Sequence, residues 1–315
     1  MIELDPQAKV LLDKMAASAK APPSPYPDDA SWVMAARAAH RGIVALSGPP
    51  EAVASIEDRR VPGPGGPLTL RLYRPEGSAR RGALVYCHGG GFVSGGLDTH
   101  DAPLRAVANR ARQAVVAVDF RLAPEHPFPA ALEDCIAALT WTAANATALA
   151  IDPARIALGG DSTGGTLAVA AALSVRARDG GPRPARLILI YPNTDLTADR
   201  AYASITTRAL RPSWREDMER YFRAYVPAGV DRRQGVLSPV YAAYGADFPP
   251  TWIALAEADP LFDEGQRLAE VMAAAGVRVA TSVYRGMIHG FFQMVGALDA
   301  GRQLIDDVAA ILAAP

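Results

Sequence analysis

Short apolar runs that alternate with helical segments restrict the fold of this chain more than any other feature. From about residue 68 onward, runs such as "ALVYC" (83–87), "AVVAV" (114–118) and "RLILI" (186–190) are continuously apolar. Strands covered by helices on both faces have this pattern, and the alternation predicts right-handed crossovers between parallel neighbours. We therefore predict an α/β fold with a mostly parallel central sheet flanked by helices. The predicted strands are 68–74, 83–87, 114–120, 155–160, 186–192, 251–257 and 277–284, and the predicted helices lie near 102–112, 130–148, 165–178, 263–275 and 298–313.

The charge distribution argues against two classes of partner. The 315 residues carry a formal net charge of −1 with both signs mixed, so neither nucleic acid nor an anionic membrane is expected. The N-terminus lacks a basic start followed by an apolar stretch, and no run is long and apolar enough to span a bilayer. We expect a cytoplasmic protein without stable membrane insertion, in which Cys87 and Cys135 are buried reduced thiols.

Two regions do not follow the alternation of strands and helices. Residues 1–50 carry helical patterns without a strand, and residues 196–230 contain a stripe of apolar side chains at helical spacing. The stripe consists of Trp214, Met218, Tyr221, Phe222 and Tyr225. It is consistent with packed core, but segments outside the alternation also suit a lid over the ligand-binding end of the sheet. We predict a helical cap from residues 1–50 and an insertion at about 196–230, on a main domain of residues 51–315.

A lone serine on a glycine corner is the first candidate site. Gly160-Asp161-Ser162-Thr163-Gly164 follows a strand-like run and precedes the helical "TLAVAAAL", so it matches G-x-S-x-G in a strand–turn–helix context. Side chains two positions to either side of the serine would collide at so sharp a turn, which calls for glycine there. The turn lifts the hydroxyl clear of the backbone, and the helix N-terminus directs amides at it. This pattern predicts a nucleophilic serine.

A second glycine cluster, His88-Gly89-Gly90-Gly91, follows a predicted strand. Its amides can face a small anion, so a phosphate-binding loop is the alternative; however, no G-K-[ST] follows, and no acidic residue is placed to bind a ribose. With the serine corner downstream, the cluster predicts an oxyanion hole with the amides of Gly90, Gly91 and Thr163 as donors. We expect His88 to hold the loop by hydrogen bonding.

Two later loops offer the partners that a nucleophilic serine needs. Of the five histidines, His289 lies in a glycine-flanked loop just past the last strand, where such sheets place catalytic groups. After the preceding strand, "AEADPLFDEG" contains four acids, namely Glu257, Asp259, Asp263 and Glu264. A proline follows Asp259 and favours a loop position, whereas Asp263 and Glu264 are expected in the solvated first turn of the next helix. We therefore predict the chain order Ser162, Asp259, His289, which is that of α/β-hydrolases.

Together these motifs resemble the hormone-sensitive-lipase-like carboxylesterases, a bacterial family of α/β-hydrolases. The resemblance rests on "HGGGFVSGG", "DFRLAPEHPFPAALED", "GGDSTGG", "YPNTDLT", "AEADPLFDEG" and "GMIHGF", which run in order through most of the chain. The catalytic and oxyanion residues that it implies are Ser162, Asp259 and His289 with Gly90, Gly91 and Thr163, and the supporting residues are His88, Gly89, Gly160, Asp161 and Gly164. The family also has an N-terminal cap. This sequence departs from it at Thr163, where the family usually has alanine.

The resemblance implies a serine carboxylesterase that hydrolyses small esters with short- to medium-chain acyl groups through an acyl-enzyme. Candidate pocket residues are Phe92, Tyr191, Trp214, Tyr221 and Phe222. No metal-ligand spacing or dinucleotide fingerprint occurs, so we expect neither a metal nor another cofactor. The alternatives are a non-catalytic ligand receptor, which filled triad positions argue against, and a dehydratase or lyase on the same scaffold. Many relatives are dimers, and the sequence leaves a homodimer open.

Overall fold

Eight strands form a single sheet in the part of the chain that the computed structural model describes, which is residues 2–18, 28–77, 81–178, 180–208 and 214–314. The strands are β1 (Ser55–Gly63), β2 (Gly66–Arg74), β3 (Arg81–Cys87), β4 (Ala114–Asp119), β5 (Ile151–Asp161), β6 (Leu187–Ile190), β7 (Thr251–Ala258) and β8 (Val279–Ile288). The α-helices among these residues are α1 (Pro6–Ser18), α2 (Asp29–Ile43), α3 (Asp101–Ala111), α4 (Ala130–Ala144), α5 (Thr163–Arg176), α6 (Ser204–Thr207), α7 (Trp214–Tyr225), α8 (Phe262–Ala274) and α9 (Asp299–Ala313).

The sheet has the order β1-β2-β4-β3-β5-β6-β7-β8. Strand β2 pairs antiparallel with β1 and β4, and every other pair is parallel. The predicted α/β fold with a mostly parallel sheet is confirmed. Strand β1 was not among the predicted strands, because it is an edge strand with mostly exposed side chains and its sequence "SIEDRRVPG" has no apolar run.

Successive side chains of the inner strands enter two separate cores. In β3, Val85 and Cys87 belong to the core beneath α4, α5 and α8, whereas Leu84 and Tyr86 belong to the core beneath α3 and α9. Because both faces are covered, both sets of positions are apolar, which explains the continuous runs in the sequence. The predicted burial of two free thiols is also confirmed: the Sγ atoms of Cys87 and Cys135 lie 3.2 Å apart, and both residues are buried.

The two regions outside the alternation contribute helices α1, α2, α6 and α7. Ala8 and Leu11 of helix α1 pack in the core beneath α3 and α9. Helices α2 and α7 meet each other, since the rings of Trp32 and Tyr221 make an edge contact with centroids 4.9 Å apart. In the apolar stripe of α7, Phe222 is buried in the core beneath α4 and α5, while Tyr221 is only partly buried against it. The stripe therefore has one core-facing side and one side that faces α2.

Candidate active site

The serine corner joins the end of β5 to the start of α5. Ser162 has φ 53° and ψ −124°, a left-handed conformation that a non-glycine residue adopts only when its surroundings enforce it. A Cβ atom on Gly160 or Gly164 would collide with the carbonyl oxygen of Cys87 in the neighbouring strand. The two glycines thus allow β3 and the corner to approach closely, as the sequence pattern predicts.

Ser162, Asp259 and His289 come together at the carboxyl ends of β5, β7 and β8. His289 Nε2 lies 3.0 Å from Ser162 Oγ, and His289 Nδ1 lies 2.6 Å from Asp259 Oδ2. The other carboxylate oxygen of Asp259 accepts a 2.9 Å hydrogen bond from the Leu261 amide. The imidazole thus lies between a buried, fixed carboxylate and a hydroxyl, within hydrogen-bonding distance of both.

The Asp259 carboxylate sets the protonation of His289. Burial lowers the pKa of the imidazole, but the Asp259 charge and hydrogen bond outweigh burial and raise the pKa above its usual value. The His289 side chain is 34% exposed, whereas that of Asp259 is 1% exposed. Protons therefore reach the imidazole from the open side of the site, while the carboxylate is shielded.

The glycine loop after β3 presents its backbone to the serine corner. Gly90 and Gly91 have positive φ values of 127° and 67°. Among the described residues, the amides of Gly90 and Thr163 have no hydrogen-bond acceptor, whereas the Gly91 amide donates to the Thr163 side-chain oxygen Oγ1 at 3.0 Å. Of the three predicted oxyanion donors, the Gly90 and Thr163 amides therefore have no acceptor among the described residues, and the Gly91 amide is bonded to the side chain of Thr163.

The buried carboxylate of Asp161 connects the serine corner to the glycine loop. Its Oδ1 accepts hydrogen bonds of 2.8 Å from both Tyr86 Oη and the Gly89 amide, and lies 3.1 Å from His100 Nε2. Burial raises the pKa of this carboxyl, but the neighbouring His100 and these hydrogen bonds outweigh burial and hold the pKa well below its usual range. Asp161 is therefore an anion that fixes the start of the loop.

His88 holds the same loop from inside. Its ring stacks on Phe120 with centroids 4.1 Å apart, and its Nδ1 donates to the Gly89 carbonyl oxygen at 2.8 Å. Burial lowers the pKa of His88 to about 3, so the ring is neutral at neutral pH. This contact is consistent with the prediction that His88 holds the loop by hydrogen bonding.

A chain of hydrogen bonds from α2 to the glycine loop involves residues that the sequence analysis did not select. Gln293 Nε2 donates to His40 Nε2 at 3.0 Å, His40 Nδ1 donates to Ser94 Oγ at 3.0 Å, and Ser94 Oγ donates to the Gly90 carbonyl oxygen at 2.9 Å. Burial lowers the pKa of His40 to about 4, so this histidine is neutral and donates through Nδ1 only. No local pattern indicates these contacts, because Gln293 and His40 are 253 positions apart.

The expectation that Glu264 is solvated is wrong, because this side chain is fully buried. Its Oε1 accepts hydrogen bonds from Asn193 Nδ2 at 2.6 Å and from the Thr194 amide at 2.7 Å. The backbone amide of Asn193 in turn donates to the Ser162 carbonyl oxygen at 3.0 Å. Burial raises the pKa of Glu264 to about 8. Glu264 therefore supports the serine corner from behind, through the segment after β6.

Two of the candidate pocket aromatics lie next to the site. The Tyr191 ring lies 4.7 Å from that of His289, centroid to centroid, and Tyr191 itself is buried. The Tyr221 ring lies so close above Gly91 that a Cβ atom there would collide with it. Tyr221 thus contacts the glycine loop from the side of α7.

The other three candidate pocket aromatics are Phe92, Phe222 and Trp214. Phe92 is buried and stacks on Tyr225 with centroids 3.8 Å apart. Phe222 is fully buried below the Arg200 guanidinium, and Trp214 lies partly buried at the start of α7. Phe92 and Phe222 are therefore packed into the fold.

Neither a membrane-spanning helix nor a metal-binding cluster occurs among the residues that the structure describes. No helix in these ranges is long and apolar enough to cross a membrane. In the same ranges, no group of three or more His, Cys, Asp or Glu side chains is arranged to hold a metal ion.

A family comparison agrees with the fold and with the placement of the motifs. A family model described as alpha/beta hydrolase fold matches residues 84–293. The chain belongs to the α/β-hydrolase family. The matched range of this α/β-hydrolase begins in β3 and ends four residues after His289, so it includes the glycine loop, the serine corner and the loops of Asp259 and His289.

This α/β-hydrolase is similar to named esterases over most of its length. It is 40% identical over 298 residues to carboxylesterase NlhH of Mycobacterium tuberculosis, a match that covers 92% of this chain and 89% of the relative. It is 36% identical over 234 residues to ethyl acetate hydrolase of Pseudomonas putida, which covers 73% of each chain. The solved structure of the hyperthermophilic esterase of Pyrobaculum calidifontis matches with a TM-score of 0.90 at 35% identity and covers 99% of this chain and 98% of that one. These matches confirm the predicted hormone-sensitive-lipase-like carboxylesterase family and its class, carboxylic ester hydrolase.

Glu264 gives the fold a pH dependence of defined sign. Its pKa is about 8 in the folded chain against an ordinary value of 4.5, so between these values the folded chain keeps a proton that the unfolded chain releases. The free energy of unfolding therefore falls as pH rises across this window. We expect Glu264→Gln, which cannot ionise, to remove this decline, which amounts to at most about 1.4 kcal/mol per pH unit. Urea unfolding at pH 5, 6, 7 and 8 measures the difference.

The matched control is Glu270→Gln, which removes a largely exposed carboxylate from the same helix, α8. This variant should follow the pH dependence of the wild-type protein. If the free energy of unfolding changed with pH in the same way in Glu264→Gln and the wild type, this would contradict the inference that buried Glu264 keeps its proton in the folded chain.

Proposed function

We propose that this enzyme is a serine carboxylesterase that cleaves esters with short- to medium-chain acyl groups through an acyl-enzyme intermediate. The observation that carries the proposal is the 3.0 Å distance between Ser162 Oγ and His289 Nε2, with Asp259 2.6 Å from the other ring nitrogen. A hydroxyl, a base and an orienting carboxylate within hydrogen-bonding distance form the arrangement that supports nucleophilic acyl transfer.

In the first half of the reaction, Ser162 Oγ bonds to the ester carbonyl carbon while its proton passes to His289 Nε2. The carbonyl oxygen takes up the electron pair of the broken π bond and becomes an oxyanion. Collapse of this intermediate expels the alcohol, which takes the proton from His289. Asp259 orients the imidazole and stabilises its positive charge.

In the second half, His289 removes a proton from water, and the resulting hydroxide equivalent attacks the acyl carbon. The second tetrahedral intermediate collapses with release of the carboxylic acid, and the proton returns to Ser162 Oγ. The raised pKa of His289 suits the two proton abstractions, from Ser162 and from water, because it makes the imidazole a stronger base before each attack.

We assign the stabilisation of the oxyanion to the backbone amides of Gly90, Gly91 and Thr163. Backbone donors held in place before reaction stabilise developing charge without reorganising, and this is commonly the greatest single contribution to such catalysis. The supporting residues act through the geometry described above: Asp161, His88 and Gly89 fix the loop, and Gly160 and Gly164 permit the sharp corner.

The preference for short acyl groups rests on the enclosure of the site. Helices α2 and α7, from the proposed cap segments at residues 1–50 and 196–230, meet through Trp32 and Tyr221, and the Tyr221 ring covers Gly91. Aromatic surface this close to the oxyanion donors favours small apolar acyl chains. The ethyl acetate hydrolase of Pseudomonas putida, by its name, acts on a two-carbon acyl ester, which supports the same choice. The proposed partner is therefore a small-molecule ester.

We expect Ser162→Ala to lower kcat on p-nitrophenyl butyrate by about 10⁴-fold or more, since it removes the nucleophile. The same variant should lose labelling by a fluorophosphonate, which reacts with a competent serine. The control is Ser174→Ala on α5, whose hydroxyl donates to the Ala170 carbonyl oxygen within that helix. Undiminished turnover or labelling of Ser162→Ala would contradict the assignment. A receptor would show neither signal in the wild-type protein, and a lyase would yield an elimination product instead of acid and alcohol.

A series of p-nitrophenyl esters from acetate to palmitate tests the acyl preference. We expect kcat/KM to be highest among the short and medium chains and to fall for chains of about twelve carbons and longer, because the cap limits the space above the glycine loop. A maximum at palmitate would contradict the proposed enclosure.

The pH dependence of kcat/KM tests the role of Asp259. Activity requires the neutral imidazole, so it is lost as pH falls through the pKa of His289, and the raised pKa places this acid limb above that of an ordinary histidine. Asp259→Asn removes the charge that raises the pKa but leaves the burial that lowers it. We expect the acid limb to move to lower pH and kcat to fall by about 10⁴-fold. An acid limb that stays in place would contradict the assignment of Asp259.

A further inference from the structure

The Thr163 hydroxyl occupies one of the oxyanion donors of the resting enzyme. Thr163 directly follows Ser162 and is buried, and its Oγ1 accepts the Gly91 amide at 3.0 Å. In the described part of the chain, the amides of Gly90 and of Thr163 itself donate to no other group. The hydroxyl therefore bonds selectively to one donor of the three.

The Gly90–Gly91 peptide unit is fixed and cannot turn its amide elsewhere. Its carbonyl oxygen, that of Gly90, accepts hydrogen bonds of 2.9 Å from both the amide and the hydroxyl of Ser94. The preceding residue, Gly89, is held by Asp161 at 2.8 Å, and the Tyr221 ring lies on the outer side of Gly91. If the Gly91 amide is to bind another acceptor, the side chain of Thr163 must move.

The two acceptors differ in charge. An amide has a single hydrogen, so the hydroxyl oxygen and a substrate oxygen compete for it. Hydrogen bonds to an ionised acceptor are roughly twice as strong as those between neutral groups. A neutral ester carbonyl is thus a poor competitor for this amide, whereas a full oxyanion is a good one.

We propose that the Thr163 hydroxyl masks the Gly91 amide in the resting enzyme and that only the oxyanion of the tetrahedral intermediate displaces it. Thr163 is then a residue that limits the rate of this esterase, since displacing its hydroxyl offsets part of the stabilisation of the oxyanion. The proposal rests on the proposed esterase function. It gives the threonine a consequence that an alanine at the same position would not have.

The first test compares Thr163→Ala with Thr163→Ser on p-nitrophenyl butyrate. Removing the hydroxyl should raise kcat/KM about three- to tenfold, because the oxyanion then binds the Gly91 amide without displacing the hydroxyl. The serine variant keeps the hydroxyl and should not show this gain. A kcat/KM for Thr163→Ala at or below the wild-type value would overturn the proposal, whereas a wild-type protein without hydrolysis would overturn the esterase function instead.

A trifluoromethyl ketone separates this masking from a change in pocket size. Ser162 Oγ adds to its carbonyl carbon, the proton moves to His289, and the carbonyl oxygen becomes an oxyanion. The inhibition constant should fall in Thr163→Ala by the same factor as kcat/KM rises, while that of the corresponding secondary alcohol, which forms no oxyanion, stays constant. An equal gain for both compounds would overturn the proposal.

A crystal structure of the wild-type adduct with this ketone gives a test that does not depend on the folding of a variant. We expect the adduct oxygen within hydrogen-bonding distance of the Gly91 amide, with Thr163 Oγ1 moved beyond it. Retention of the bond between Gly91 and Thr163 in the adduct would overturn the masking.

Discussion

One carboxylate oxygen, Oδ1 of Asp161, holds the serine corner and the glycine loop in register. It accepts from the Gly89 amide and from Tyr86, and His100 lies next to it. Asp161 is the last residue of β5, and Gly89 lies two residues beyond the end of the adjacent strand β3. Because a buried anion needs such donors, moving either segment removes one of the hydrogen bonds that stabilise the charge. The spacing between Ser162 and the proposed oxyanion donors follows from this contact.

Further layers of contacts surround this connection and stiffen it. Glu264 holds the Asn193 segment, whose amide donates to the corner from behind, and His40 reaches the loop from α2 through Ser94. Ser162 is kept in an unfavourable backbone conformation by these surroundings. A rigid frame of this kind would preorganise the amides of the proposed oxyanion hole. In our proposal the part that moves there is a side chain, that of Thr163.

Much of the fold and most of the site follow from local patterns. Continuous apolar runs identify β3, β4 and β6 because helices cover both faces, and glycines at positions 160 and 164 identify the corner because nothing larger fits against Cys87. Asp259 and His289 are recognisable because they follow apolar strands at the edge where parallel strands place their loops. Strand β1 cannot be identified in this way, since an exposed edge strand needs no apolar run.

The amino-acid sequence specifies most of the order of strands and helices, the corner around Ser162, and the identity of its distant partners, because each depends on local backbone preference and apolar periodicity. Long-range packing, by contrast, buries Glu264, joins His40 to the glycine loop, and brings the Thr163 hydroxyl to the Gly91 amide. These features arise where segments far apart in the chain meet. An acid in a first helical turn has the same local pattern whether it faces water or the back of an active site, and packing alone distinguishes the two.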